Sequence, residues 1–124
     1  MKDTRPVNLD IGTIKLPITA YASILHRISG VFLFVAIGVM IYALDLSLSG
    51  EDGFASIASL MSSSFSKLVV WAVLAGLIYH SVAGVKHLVM DLGYGESYEG
   101  GALGSRITFA VSAVLIALAG VWVW

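Results

Sequence analysis

An all-α membrane protein with three transmembrane helices is the architecture this sequence dictates, and three observations carry that reading. Of 124 residues, 58% are hydrophobic and only 12% charged, whereas soluble domains run near half apolar and about a quarter charged. Mean hydropathy is +0.92. The apolar residues gather into three uncharged runs, Ile28 to Leu44, Leu68 to Val85 and Ile107 to Trp124. A soluble fold of this size cannot hide that much apolar surface, so a bilayer is the natural solvent and each run must pair its backbone groups within a helix.

Taken in order, the N-terminus MKDTRPVNLDIGTIKLP is polar and carries two acids. It has the character of neither a cleaved signal peptide nor an acid-poor transit peptide, so insertion through the first helix is expected. Helix 1 is extended back by apolar residues from about Leu16, with Pro17 near its start, where proline is tolerated. Each uncharged core has 17 or 18 residues, at the floor of what a spanning helix needs. One transmembrane anchor domain over 1–124 follows, with spans near 20–45, 66–91 and 105–124. Two short polar loops are expected between them. Asp45 to about Ser66 is rich in serine, with Glu51 and Asp52, and Asp91 to Ser105 is rich in glycine, with Glu96 and Glu99.

Lysine and arginine set the orientation. Lys2, Arg5, Lys15 and Arg27 flank the start of helix 1, and Lys86 and Arg106 flank the second loop. The first-loop side has Lys67 alone and the C-terminus has none. The N-terminus is therefore expected in the cytoplasm and the C-terminus outside, with Trp71, Trp122 and Trp124 as an external aromatic belt.

Several function classes fall away. A net charge of −1 leaves no nucleic-acid footprint. The absence of cysteine removes disulfides, cysteine-ligated zinc, iron–sulfur clusters and c-type heme attachment. An ion-translocating subunit would want a carboxylate buried mid-span, and the three cores contain none.

The polar residues within the helices are few and clustered. Ser23, His26 and Arg27 lie near the cytoplasmic start of helix 1, and His80 lies mid-span in helix 2, with Lys86 and His87 near its cytoplasmic end. His80 and His87 are seven residues apart, so they share one helix face about 10.5 Å apart along the axis. Gly76 and Gly84 stand four residues either side of His80. Two readings fit this stripe. It is a groove in which a flat macrocycle lies with its iron on the imidazole and its acidic groups toward Arg27 and His87, or it is a small-residue seam for close helix packing. Arg27 on its own also serves as an interfacial anchor, and Ser23 on its own can bond its own helix. Only His80 is deep, and His26 is expected too near the surface to face it across an iron. A six-coordinate heme would then draw its second ligand from another chain.

The stretches RPVNLDIGTIKLPITAYASILHRIS, Arg5 to Ser29, and HSVAGVKHLVMDLG, His80 to Gly93, resemble two signatures of the cytochrome b subunit of succinate dehydrogenase, the larger membrane anchor of respiratory complex II. The wording RPVNLD resembles the bacterial branch, and the likeness covers essentially the whole chain. The resemblance implies one half of a heterodimeric helix bundle in the bacterial inner membrane. It implies heme b with His80 as an axial ligand, the other axial histidine coming from a smaller anchor subunit. It implies Ser23 and Arg27 at a ubiquinone site, and His26, Arg27 and His87 near the heme propionates. Flavoprotein and iron–sulfur subunits would be the soluble partners. One departure stands out: Lys86 occupies a position where the family pattern usually has arginine, which keeps the charge but loses a bidentate fork. The anchor of a quinol:fumarate reductase, the same chemistry reversed, and a non-catalytic membrane scaffold are the competing readings.

Overall fold

The computed structural model describes residues 7, 9, 10 and 12–124. Lys2 and Arg5, and with them the start of the RPVNLD stretch, lie outside the described residues. Four helices follow in order: α1 (Ile18–Leu48), α2 (Glu51–Met61), α3 (Ser64–Asp91) and α4 (Tyr98–Val123). There is no strand among the described residues. α1, α3 and α4 are each long and apolar enough to cross a membrane, so the chain is an all-α, multi-pass membrane protein. Short connections make consecutive spans antiparallel. The start of α1, the end of α3 and the start of α4 therefore share one end of the bundle.

Small side chains hold the three spans together. The buried residues of α1 are Ala22, Ser29 and Ala36, a strict seven-residue repeat. Those of α4 are Gly101, Ser105, Thr108 and Ser112, alternating by four and three. Ala83 is the most deeply buried residue of α3. Lipid offers apolar side chains as much as a neighbouring helix does, so association depends on close backbone approach, and small residues permit it. The large apolar side chains point outward instead: Phe34 and Trp122 are each 81% exposed.

Three bonds outside the histidine cluster tie α3 to its neighbours. The Tyr79 hydroxyl donates to the Ala22 carbonyl at 2.6 Å, while its ring stacks on Phe109. The Trp71 indole N–H donates to the Ile116 carbonyl at 2.9 Å, over Gly120. Trp71 is thus a packing residue of the α3–α4 seam as well as an aromatic near the span end. Lys86 Nζ donates to Ser105 Oγ at 2.9 Å.

The loops differ from expectation. The segment read as the first polar loop is mostly the helix α2. Phe54, Ile57 and Met61 recur at three- and four-residue spacing in it, and Glu51 and Asp52 stand in its first turn, where carboxylates favour a helix start. Gly50, at φ 153°, breaks the chain between α1 and α2. The second loop is also shorter than expected. Ser97 caps α4 by accepting the Gly100 N–H at 3.0 Å, so that helix starts at Tyr98. α3 closes on a Schellman motif: Gly93, at φ 93°, donates to the Met90 carbonyl and Tyr94 to that of Val89.

Candidate functional site

α1 and α3 cross so that three imidazoles form one column. The His26 ring stacks on His80 with centroids 4.2 Å apart and planes 13° apart. On its other side it meets His87 at 4.9 Å, tilted by 48°. His26 therefore fills the gap that two helical turns leave between His80 and His87. All three rings are half-buried.

His26 was expected too near the surface to face His80 across an iron; the helices bring the two rings into direct stacked contact instead. α1 begins at Ile18. At 1.5 Å per residue, His26 is about 12 Å inside that end of the bundle, His80 about 16 Å and His87 about 6 Å. The stacked pair still cannot be two ligands of one iron. A metal bound by both would lie in the plane of each ring between opposed nitrogens, and these rings present faces to each other.

The glycine groove is likewise not open. A Cβ on Gly76 would lie 2.8 Å from Phe32 Cδ1, and one on Gly84 would lie 3.8 Å from His26 Nε2. α1 of the same chain packs over both glycines, so the Gly76–His80–Gly84 stripe serves close helix packing. Gly30 lets α1 pass equally close to His80, with Cε1 only 3.1 Å from where a Cβ would stand.

His80 Nδ1 has two oxygen neighbours, the His26 backbone carbonyl at 3.1 Å and Ser29 Oγ at 3.0 Å. The Ser29 hydroxyl itself donates to the His26 carbonyl at 2.7 Å. A carbonyl only accepts, and the serine proton is already committed to it. Nδ1 therefore carries a proton and donates to both oxygens. A neutral imidazole so held keeps its lone pair on Nε2, to which no hydrogen bond is made among the described residues.

Ser23 and Arg27 lie one turn apart on α1, Ser23 half-buried and Arg27 exposed. Arg27 borders a shallow apolar depression with Ile28, Val31 and Phe32. No hydrogen bond or ring contact joins Arg27 to the histidine column among the described residues. Lys86 also departs from it, its stem lying over Gly104 and its ammonium on Ser105. The contact is to a hydroxyl, not a carboxylate. Asp91, the last residue of α3, is exposed. Among the described residues no group of three His, Asp or Glu side chains is arranged to hold a metal ion. Ser29 was not singled out from sequence. Its seven-residue register with Ala22 and Ala36 marks it as facing inward, but only the crossing of α1 and α3 puts it against His80.

Residues 1–119 match the family model described as succinate dehydrogenase/fumarate reductase transmembrane subunit. The succinate dehydrogenase cytochrome b556 subunit of Coxiella burnetii is 40% identical over 125 aligned positions, covering 100% of both chains. The protein of the same name from Paracoccus denitrificans is 29% identical over 94% of this chain and 90% of its own length. A succinate dehydrogenase cytochrome b560 subunit from Marchantia polymorpha is 35% identical over 76% of this chain and 72% of its own. With three membrane-crossing helices, this histidine column and a full-length family match, the chain belongs to the succinate dehydrogenase/fumarate reductase transmembrane subunit family.

Proposed function

We propose that this chain is the cytochrome b anchor of a bacterial inner-membrane succinate:ubiquinone oxidoreductase, ligating heme b through His80 and forming part of the site where ubiquinone is reduced. One observation carries the reading: a half-buried imidazole inside a membrane helix bundle, its Nδ1 held between the His26 carbonyl and Ser29 Oγ, with no hydrogen bond to Nε2 among the described residues. Ligating histidines have this form, donating their second N–H to a carbonyl so that tautomer and ring direction are set. The donor set therefore fits heme iron, and the relatives carry the name cytochrome b556. Heme b bound at His80 supplies a one-electron carrier within the membrane. The stacked geometry of His26 fits the reading in which a second histidine ligand would come from a smaller anchor subunit. His26 and His87, with Arg27, provide polar and cationic groups for the heme propionates on the way to the bundle end.

The reaction is reduction of ubiquinone to ubiquinol by two electrons and two protons, succinate being oxidised to fumarate. A chain without cysteine holds no iron–sulfur cluster, so flavoprotein and iron–sulfur subunits deliver the electrons. Ser23 donates a hydrogen bond to a quinone oxygen. Arg27 places a fixed positive charge beside that oxygen as electron density builds on it, lowering the energy of the charged state. Both residues lie within about 14 Å of the start of α1 along its axis, so protons have a short route from water. The N-terminal end of α1 is the cytoplasmic end.

The test is a reduced-minus-oxidised spectrum of the complex purified with its co-assembled subunits. A b-type band that is lost or shifted in His80→Leu supports the ligand assignment. An unchanged band in that variant rejects it, and no band in the parent leaves a scaffold subunit. Ser23→Ala and Arg27→Leu are expected to lose succinate–quinone activity while keeping heme. Full turnover in both would reject the quinone site.

A further inference from the structure

We infer that Ser29 is a positioning residue for the heme ligand: its hydroxyl, bridging His80 Nδ1 and the His26 carbonyl, holds the imidazole in the tautomer and direction that leave Nε2 for iron. The inference rests on the heme reading of His80 and gives a role to Ser29, the last residue of the first signature stretch, to which the sequence reading assigned none.

The geometry closes a three-membered ring of hydrogen bonds. Ser29 Oγ donates to the His26 carbonyl at 2.7 Å, and His80 Nδ1 faces that carbonyl at 3.1 Å and Ser29 Oγ at 3.0 Å. Ser29 sits three residues after His26, so its bond to the i−3 carbonyl comes from the helix's own geometry. That bond consumes the only serine proton and turns an oxygen lone pair toward Nδ1. Were the other tautomer present, the Nδ1 lone pair would face a carbonyl oxygen at 3.1 Å, a repulsive contact. Ser29 is 8% exposed, so water does not readily replace it, and an unpaired polar group there is disfavoured. The His26 ring, stacked on the imidazole face, and Gly30, admitting Cε1 closely, limit ring rotation from other directions. Polarisation of the Nδ1–H by two acceptors makes the imidazole a stronger donor to oxidised iron.

The experiment uses the complete complex purified from membranes, with Ser29→Ala, Ser29→Thr and Ser29→Cys beside the parent and His80→Leu. The readouts are heme content, heme midpoint potential, the electron paramagnetic resonance signal of the oxidised heme, and carbon monoxide binding to the reduced heme. Ser29→Ala is expected to raise the midpoint potential, shift the resonance signal, admit carbon monoxide and weaken apparent heme affinity about 10-fold. Ser29→Thr, which keeps the hydroxyl, restores the parent potential and signal. If the alanine form does not assemble, Ser29→Cys decides. It is close in size but a weaker hydrogen-bonding group, so it must show the same upward shift.

A parent-like potential and resonance signal in Ser29→Ala, or in Ser29→Cys where that form decides, overturns the inference. So does equal perturbation in the alanine and threonine forms, which would assign the effect to packing. If the parent has no b-type heme, or His80→Leu keeps it unchanged, the heme reading itself has failed. If those two controls behave as proposed and Ser29 alone is silent, only the positioning role is lost.

Discussion

Replacing Gly76 with alanine places a methyl group where Phe32 already is. The added carbon would lie 2.8 Å from Phe32 Cδ1 and 2.9 Å from Cε1, against an optimal carbon–carbon separation of about 3.5–4.0 Å. The ring must retreat by about 0.7 Å or swing away. Phe32 is 41% exposed, so it has room on the outer side and the penalty belongs to the lower part of the usual overpacking range, about 1–2 kcal/mol. Against this, alanine is the better helix former by about 1 kcal/mol. Gly76→Ala in the parent is therefore expected to be neutral or destabilising by about 1 kcal/mol. In a Phe32→Ala background the clash is gone, and the same substitution becomes stabilising by up to about 1 kcal/mol. The change of sign is the diagnostic, because the double-mutant cycle removes what the two positions do separately. It is read from detergent unfolding of the purified complex, following the fraction assembled against denaturant. Equal effects of Gly76→Ala in both backgrounds would refute the contact, and with it the claim that α1 fills the glycine groove.

Tyr79→Phe removes the hydroxyl bonded to the Ala22 carbonyl at 2.6 Å. Hydrogen bonds in membrane proteins average about 0.6 kcal/mol with a maximum near 1.7, so a loss in that range is expected in the same unfolding assay. Trp71→Phe deletes the bond to the Ile116 carbonyl and should lower the melting temperature of the complex more than Trp122→Phe, since Trp122 is largely exposed. Lys86→Met loses a bond to a hydroxyl, not an ion pair. It should keep heme content and quinone reduction near parent levels, whereas Lys86→Glu, placing a carboxylate in the α3–α4 seam, should cut the amount of assembled complex in membranes.

Composition and the three uncharged runs were sufficient for the membrane class and the number of spans, because the demand for internal backbone pairing in lipid leaves helices as the solution. The residue types at His26, His80 and His87 were equally legible, since titratable side chains are rare in such helices and stand out. Helix ends were less so. The serine-rich stretch after Asp45 forms α2, and α4 starts at Tyr98 within the glycine-rich stretch, because polarity marks where lipid ends and not where helix ends.

What the linear order of residues could not supply is the register between helices. Gly76 and Gly84 admitted both a groove and a packing seam until α1 laid Phe32 and His26 over them, and the partner of Lys86 was open until its stem turned onto Gly104. The ring of bonds among Ser29, His26 and His80 joins positions 54 and 51 apart in sequence, through contacts of about 3 Å that a slip of one residue would abolish. Hydropathy is a property of each segment and survives any such slip. A hydrogen bond to one face of one imidazole does not, and for that reason the chemistry of this chain was decided only where its helices met.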